Sequence, residues 1–227
     1  MKVMVLGATG LTGNLVLENL LARSEVGSVV VPVRRWLAPD EPKLEQHVID
    51  FDNMDAHAEI FDVDALVCCI GTTISKAGSR AAFRKVDYDY ALTAARLARN
   101  TGARALILMS AVGASTTSKV FYSRVKGELE DAVRALNFPY LSIYHPSLLL
   151  GNRQEQRPAE SLGMALMPVA NHGLIGPLRK YRAIEASTVA AAMVNELVML
   201  GENAAPGPVV KIREYTDILR IAKMATV

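Results

Sequence analysis

The sequence predicts an α/β fold, a doubly wound parallel sheet with helices on both faces, on three observations. A short apolar strand, residues 3–6, runs straight into glycines at positions 7, 10 and 13. Apolar strand-like runs then alternate with helical patterns long enough to return the chain in parallel. Of the 227 residues, 51% are hydrophobic, which is ample for a core covered on both sides.

Taken in order, the first strand is followed by an apolar helical pattern at Leu15, Val16, Leu20 and Leu21, and the second strand spans residues 28–33. Residues 47–49, 65–70, 105–109 and 140–144 are the third to sixth strands, each rich in β-branched or aliphatic residues. From Gly151 to Pro177 polar residues, Pro and Gly dominate; a helix over 187–200 and a short strand over 209–212 follow. The whole, 1–227, reads as one domain with 151–227 as a small C-terminal segment on the substrate side, and no internal repeat is visible.

Composition narrows the functions. A net charge of +2 indicates neither a nucleic-acid surface nor a polybasic membrane patch. Cys68 and Cys69 are adjacent in an apolar run, a spacing that fits neither a metal nor a redox pair, and they read as buried reduced thiols on opposite strand faces. The first strand begins at residue 2 with no leader pattern, and the longest apolar stretch is interrupted by Asn195 and Glu196. A soluble, cytoplasmic protein is expected.

The glycine turn indicates the ligand. Gly7 permits a tight turn off the strand, Gly10 lets backbone approach a diphosphate, and Gly13 lets the next helix pack closely on the sheet. The diphosphate then rests on helix N-terminal N–H groups, so Gly7, Thr9, Gly10, Leu11, Thr12 and Gly13 are the candidate contacts of a dinucleotide in a Rossmann fold. The end of the second strand selects the dinucleotide. Binders of NAD place an acid there for the ribose 2′-hydroxyl; this chain has Arg34 and Arg35 and no acid before Asp40. An arginine grips a phosphate bidentately and stacks on adenine, so NADP(H) is the expected cofactor, with one of the two arginines free to be a solvated loop charge. Asp50 and Phe51, after the third strand, stand where a side chain meets adenine; Asp50 and Asp52 fit equally as helix-start residues.

The chemistry comes later in the chain. The fifth strand delivers Ser110 to the C-terminal edge where such sheets bind ligands. Tyr122 follows, and Lys126 lies four residues on, which puts phenol and ammonium on one helix face. A cation beside a phenol favours the phenolate, so Tyr122 exchanges a proton with a substrate oxygen in this reading, with Ser110 orienting that oxygen.

With Cys68-Cys69-Ile70-Gly71-Thr72-Thr73, Lys76-Ala77-Gly78, Val86-Asp87-Tyr88-Asp89-Tyr90, Val125-Lys126-Gly127-Glu128 and residues 152–158, the chain resembles the short-chain dehydrogenase/reductase superfamily in its extended or atypical form. More narrowly it is similar to bacterial relatives of the Tat-interacting oxidoreductase-like proteins. That resemblance implies that Gly71, Thr72 and Thr73 pass the nicotinamide ribose, that Pro146 and Ser147 support the nicotinamide, and that Tyr122 and Lys126 are the catalytic pair. It also exposes departures. Ser110 is followed by Ala111 where the superfamily often has a second serine, leaving Ser115 as an alternative; Asp87 stands where an asparagine is common; and His145, read as structural, replaces an arginine.

Two functions follow: an NADP(H)-dependent oxidoreductase acting on a small carbonyl or alcohol, and an NADP(H)-sensing regulator that works through a partner protein. Tyr122 and Lys126 favour the first, because a sensor needs neither. A nucleotide-sugar epimerase is disfavoured by the small C-terminal segment. Arg153 and Arg157 are spaced to bind an anionic substrate or to pair with nearby glutamates. Ala91, Ala94, Ala95 and Ala98 fit a homodimer face or packing on the chain's own sheet.

Overall fold

The computed structural model describes residues 1–37, 41–151, 174–201 and 208–224. Seven parallel strands form the sheet in the order β3-β2-β1-β4-β5-β6-β9. They are β1 (Lys2–Leu6), β2 (Ser28–Val33), β3 (Leu44–Val48), β4 (Ala65–Cys68), β5 (Ala105–Met109), β6 (Tyr140–Tyr144) and β9 (Val209–Arg213). Strand order reverses between β1 and β4, so a crevice opens beyond their C-terminal ends, where this class of sheet binds its ligand. A two-stranded parallel pair, β7 (Leu149–Leu150) and β8 (Ile184–Glu185), stands apart from the main sheet.

Alternation along each strand supplies two cores. Val3 and Val5 of β1, with Val29, Val31 and Ile107, face helices α1 (Leu11–Leu21), α6 (Ala186–Leu200) and α7 (Tyr215–Ala222). Met4 and Leu6, with Val30, Leu106 and Leu108, face the 3₁₀ segment Phe51–Phe61, α4 (Ala91–Asn100) and α5 (Phe121–Arg134). Between β4 and α4 the chain forms α2 (Ile74–Ala77), α3 (Arg80–Arg84) and a π-helical turn, Lys85–Tyr90.

Strand boundaries differ from the predicted ones by two residues or more at β3 and β4, and by one residue at β1 and β9. β3 starts at Leu44, earlier than hydrophobicity suggested, because its Glu45 and Gln46 occupy an edge where polar side chains reach solvent. β4 ends at Cys68; Cys69 N–H still bonds Leu6 carbonyl at 2.8 Å, after which the chain turns into the crevice. Cys68 and Cys69 are both buried and free, one in each core. Ala91, Ala94, Ala95 and Ala98 are buried against their own sheet. Arg153 and Arg157 lie outside the described residues.

Candidate functional site

The turn after β1 is closed by contacts that only glycine permits. Gly7 has φ +90°, and a Cβ there would lie 2.6 Å from the backbone nitrogen of Ile70, so the first turn touches the loop after β4 backbone to backbone. A Cβ on Gly13 would lie 2.1 Å from the Gly7 carbonyl oxygen, which fixes the start of α1 against the turn. Gly10 N–H bonds that same carbonyl at 3.0 Å, and Gly10 caps α1 with no side-chain bond and no acid in the first turn. The initial N–H groups and the positive end of the dipole are therefore left for an anion. Thr9 and Gly10 are exposed and Leu11 half-buried, while the buried Thr12 hydroxyl has no hydrogen-bond partner among the described residues. An uncapped helix start over a backbone cradle, with an orphaned hydroxyl beside it, fits a dinucleotide diphosphate.

At the end of β2, Arg34 and Arg35 are exposed and make no ion pair among the described residues; Trp36 beside them is 70% exposed. Gln46 of β3, missed in the sequence, pins this turn: Leu37 N–H donates to Gln46 Oε1 at 2.8 Å and Gln46 Nε2 donates to Leu37 carbonyl at 3.1 Å. Asp50 accepts Asp52 N–H at 2.9 Å, the helix-start role, while the Phe51 ring lies 5.6 Å from that of Tyr90. Asp52 is clamped by Lys85 Nζ at 2.7 Å and by Tyr90 Oη, and hydrogen bonds from this cation and this hydroxyl hold its carboxyl below the usual range.

Beyond β4, Gly71 is exposed and Thr73 caps α2 through Lys76 N–H at 3.1 Å. Thr72 N–H donates to Asp87 Oδ2 at 2.7 Å, and Asp87 Oδ1 lies 2.9 Å from Lys126 Nζ. The two side chains are 1% and 5% exposed. Burial works against the Lys126 ammonium, but Asp87 and then Tyr122 outweigh it, and the lysine is held well above its ordinary range. A Cβ on Gly71 would press to 3.2 Å from Asp87 Oδ1. Tyr122, half-buried on the first turn of α5, packs its ring 5.7 Å from that of the buried Phe83. The structure thus brings Tyr122, Lys126, Asp87 and Thr72 together at one end of the crevice.

Ser110 goes elsewhere. It is 5% exposed on the α5 side of the sheet, and its hydroxyl donates to Glu130 Oε1. The same oxygen lies 2.8 Å from His145 Nε2, which gives His145 a structural partner. Glu130 was missed in the sequence, although it continues the i, i+4 series from Tyr122 and Lys126 along the same helix face. Pro146 is buried with its carbonyl accepting Val112 N–H at 3.0 Å, and the Ser147 hydroxyl donates to the Arg182 carbonyl. Ser115 is exposed, its hydroxyl 3.0 Å from that of Thr117, in a loop laid directly on α5: a Cβ on Gly127 would lie 2.4 Å from the Ser115 carbonyl carbon.

A doubly wound parallel sheet with a glycine cradle at its switch point defines a Rossmann-type nucleotide-binding fold. The chain belongs to the NAD(P)H-binding family, whose model matches residues 7–165. It is 37% identical to Protein HTATIP2 of Rattus norvegicus across 98% of this chain and 89% of that protein. It is 32% identical to Protein FMP52, mitochondrial, of Meyerozyma guilliermondii, across 98% and 96% of the two chains. Among solved structures, the UDP-glucuronic acid 4-epimerase of Bacillus cereus in complex with UDP-glucuronic acid and NAD shares the fold at a TM-score of 0.67 and 15% identity, over 93% of this chain and 76% of that one.

These relatives correct one expectation. The cytoplasmic assignment is overturned by fungal relatives whose names place them in mitochondria. The inference failed because an α/β core has the same composition in either compartment. No helix among the described residues is long and apolar enough to cross a membrane.

Proposed function

We propose that this protein is an NADP(H)-dependent oxidoreductase of the short-chain type, acting on a small carbonyl or alcohol, with residues 151–227 of the single domain contributing its substrate side. The observation that carries the reading is the buried Lys126–Asp87 pair one helical turn from Tyr122 and tied to the Thr72 backbone. When bound, the cofactor supplies or accepts hydride. Gly7, Gly10, Leu11, Thr12 and Gly13 hold its diphosphate and Arg34 or Arg35 the 2′-phosphate; Gly71, Thr72, Thr73, Pro146 and Ser147 flank its nicotinamide end. Tyr122 Oη gives a proton to the substrate oxygen in reduction and takes it back in oxidation. Lys126 keeps a positive charge beside that oxygen, and Asp87 holds the lysine in place. Because the Ser110 proton is committed to Glu130, Ser110 offers only lone pairs, and Tyr122 is the proton donor.

That same commitment favours the alternative of an NADP(H) sensor acting through a protein partner, since one expected catalytic donor is turned away. Titration with NADPH and NADH, followed by a carbonyl panel monitored for NADPH consumption, separates the two. Turnover supports the oxidoreductase, and tight NADPH binding with no turnover on any carbonyl supports the sensor.

A further inference from the structure

One group of charges at the mouth of the crevice takes no part in the chemistry above. Phe83 of α3 sets its ring 5.7 Å from Tyr122 and 5.8 Å from Phe121, so this buried ring backs the half-buried rings of Phe121 and Tyr122. Two guanidinium groups stand over the Phe121 ring, that of Arg80 at 5.2 Å and that of Arg124 at 5.7 Å from its centre. An exposed cation gains only slightly from a ring, and two cations on the same ring repel, so stacking alone does not account for the pair. Nor do neighbouring acids. Glu128 is engaged by Arg84 and reaches Arg124 only at 4.0 Å; Arg124 Nη1 donates to the Ser118 carbonyl at 2.9 Å, a neutral partner that leaves its charge uncancelled, and Arg80 has no carboxylate in ion-pair range among the described residues. The Phe121 ring therefore carries unbalanced positive charge next to Tyr122, and Val120, the residue before Phe121, is 61% exposed.

We propose that Arg80 and Arg124 form the anion subsite of this crevice, and that the substrate is a carbonyl compound whose apolar body lies on Phe121 and whose carboxylate or phosphate is held by the two guanidinium groups. The proposal rests on the oxidoreductase reading for the carbonyl, and on the arginines alone for the anion. A guanidinium presents a planar fork that fits such an anion bidentately, and the rings hold the fork in orientation beforehand. The apolar ring beneath excludes water on one side and strengthens the contact.

The test uses the full-length protein saturated with NADP⁺ and the probes benzoate and benzamide, measured by titration calorimetry. Benzoate should bind about tenfold tighter than benzamide or better, the advantage expected of charged hydrogen bonds. Arg80→Gln should erase that advantage and Arg80→Lys should keep part of it, with NADPH affinity unmoved in both. Equal binding of benzoate and benzamide to the native complex overturns the proposal, as does a tenfold loss of NADPH affinity in Arg80→Gln, which would assign the arginine to the cofactor. Turnover of 4-carboxybenzaldehyde against its methyl ester is measured in parallel. If neither of these nor any carbonyl of the panel is reduced while benzoate preference persists and depends on Arg80, the oxidoreductase reading fails and the anion subsite stands.

Discussion

Lys126 Nζ lies 2.9 Å from Asp87 Oδ1 in a contact closed to solvent, and the second Asp87 oxygen accepts the Thr72 N–H, so one carboxylate ties α5 to the loop after β4. Removing its charge leaves a buried ammonium unpaired. Asp87→Asn should therefore destabilise the fold by about 3–5 kcal/mol even though the amide oxygen still accepts from Thr72. Urea unfolding measures this; an unchanged midpoint would mean that water or another carboxylate already compensates the lysine.

The pH dependence of that pair has a definite sign. Lys126 is raised above its ordinary value in the folded protein. Its contribution to stability is therefore fully present below the unfolded lysine value of about 10.4 and is lost only as pH rises through the higher folded value. The stability difference between the native protein and Lys126→Met should stay level from about pH 7 to 10 and narrow above that. A difference that shrinks between pH 7 and 9 would contradict a lysine held charged by Asp87.

Cofactor choice is testable at Arg34 and Arg35, which are exposed and free of ion pairs among the described residues. NADPH should bind tighter than NADH. Alanine at whichever arginine holds the 2′-phosphate, Arg34 being the first to test, should cost NADPH about 1.5–3 kcal/mol and leave NADH nearly unaffected. Trp36, the chain's one tryptophan, is 70% exposed next to them and should report binding through its fluorescence. Equal native affinities for the two cofactors would end the preference for NADP(H).

Tyr122→Phe removes a hydroxyl while keeping the ring on Phe83. NADPH affinity should hold and turnover should fall by about 10² or more, the loss expected for a positioned general acid. Reduction at the native rate would place the proton source elsewhere.

Gly127→Ala probes the loop between β5 and α5. Its Cβ would lie 2.4–2.6 Å from the backbone of Ser115 and Thr116, atoms that cannot swing away as a side-chain end does. Overpacking of this kind costs about 1–3 kcal/mol, and thermal unfolding should register it. A variant as stable as the native protein would show that the loop is free to lift from the helix.

Much of this architecture is legible along the chain because it is periodic or glycine-marked. The turn announces itself, since Gly7 and Gly13 each forbid a side chain for a separate steric reason and a Cβ on Gly10 would press to 3.3 Å from the Gly7 carbonyl oxygen. Apolar patterning marks only the C-terminal part of β3, because Glu45 and Gln46 lie at an edge and break it. The partners of Ser110 were not legible. A serine at a strand end looks the same whether its hydroxyl faces the crevice or a buried Glu130, and only the packing of α5 across the strands decides between them. The π-helical turn that carries Asp87 likewise leaves no mark in the pattern of hydrophobic residues.

The two thiols of the central sheet offer a chemical clock. Burial pushes Cys68 up to about 11 and Cys69 higher still, so neither is a competent nucleophile while β4 stays in place. An alkylating reagent can modify them only in molecules whose middle strand has opened. The rate of labelling near neutral pH then counts those openings directly, and its slowing on addition of NADPH would give the coupling between the nucleotide crevice and the innermost strands of the protein without any substrate in hand.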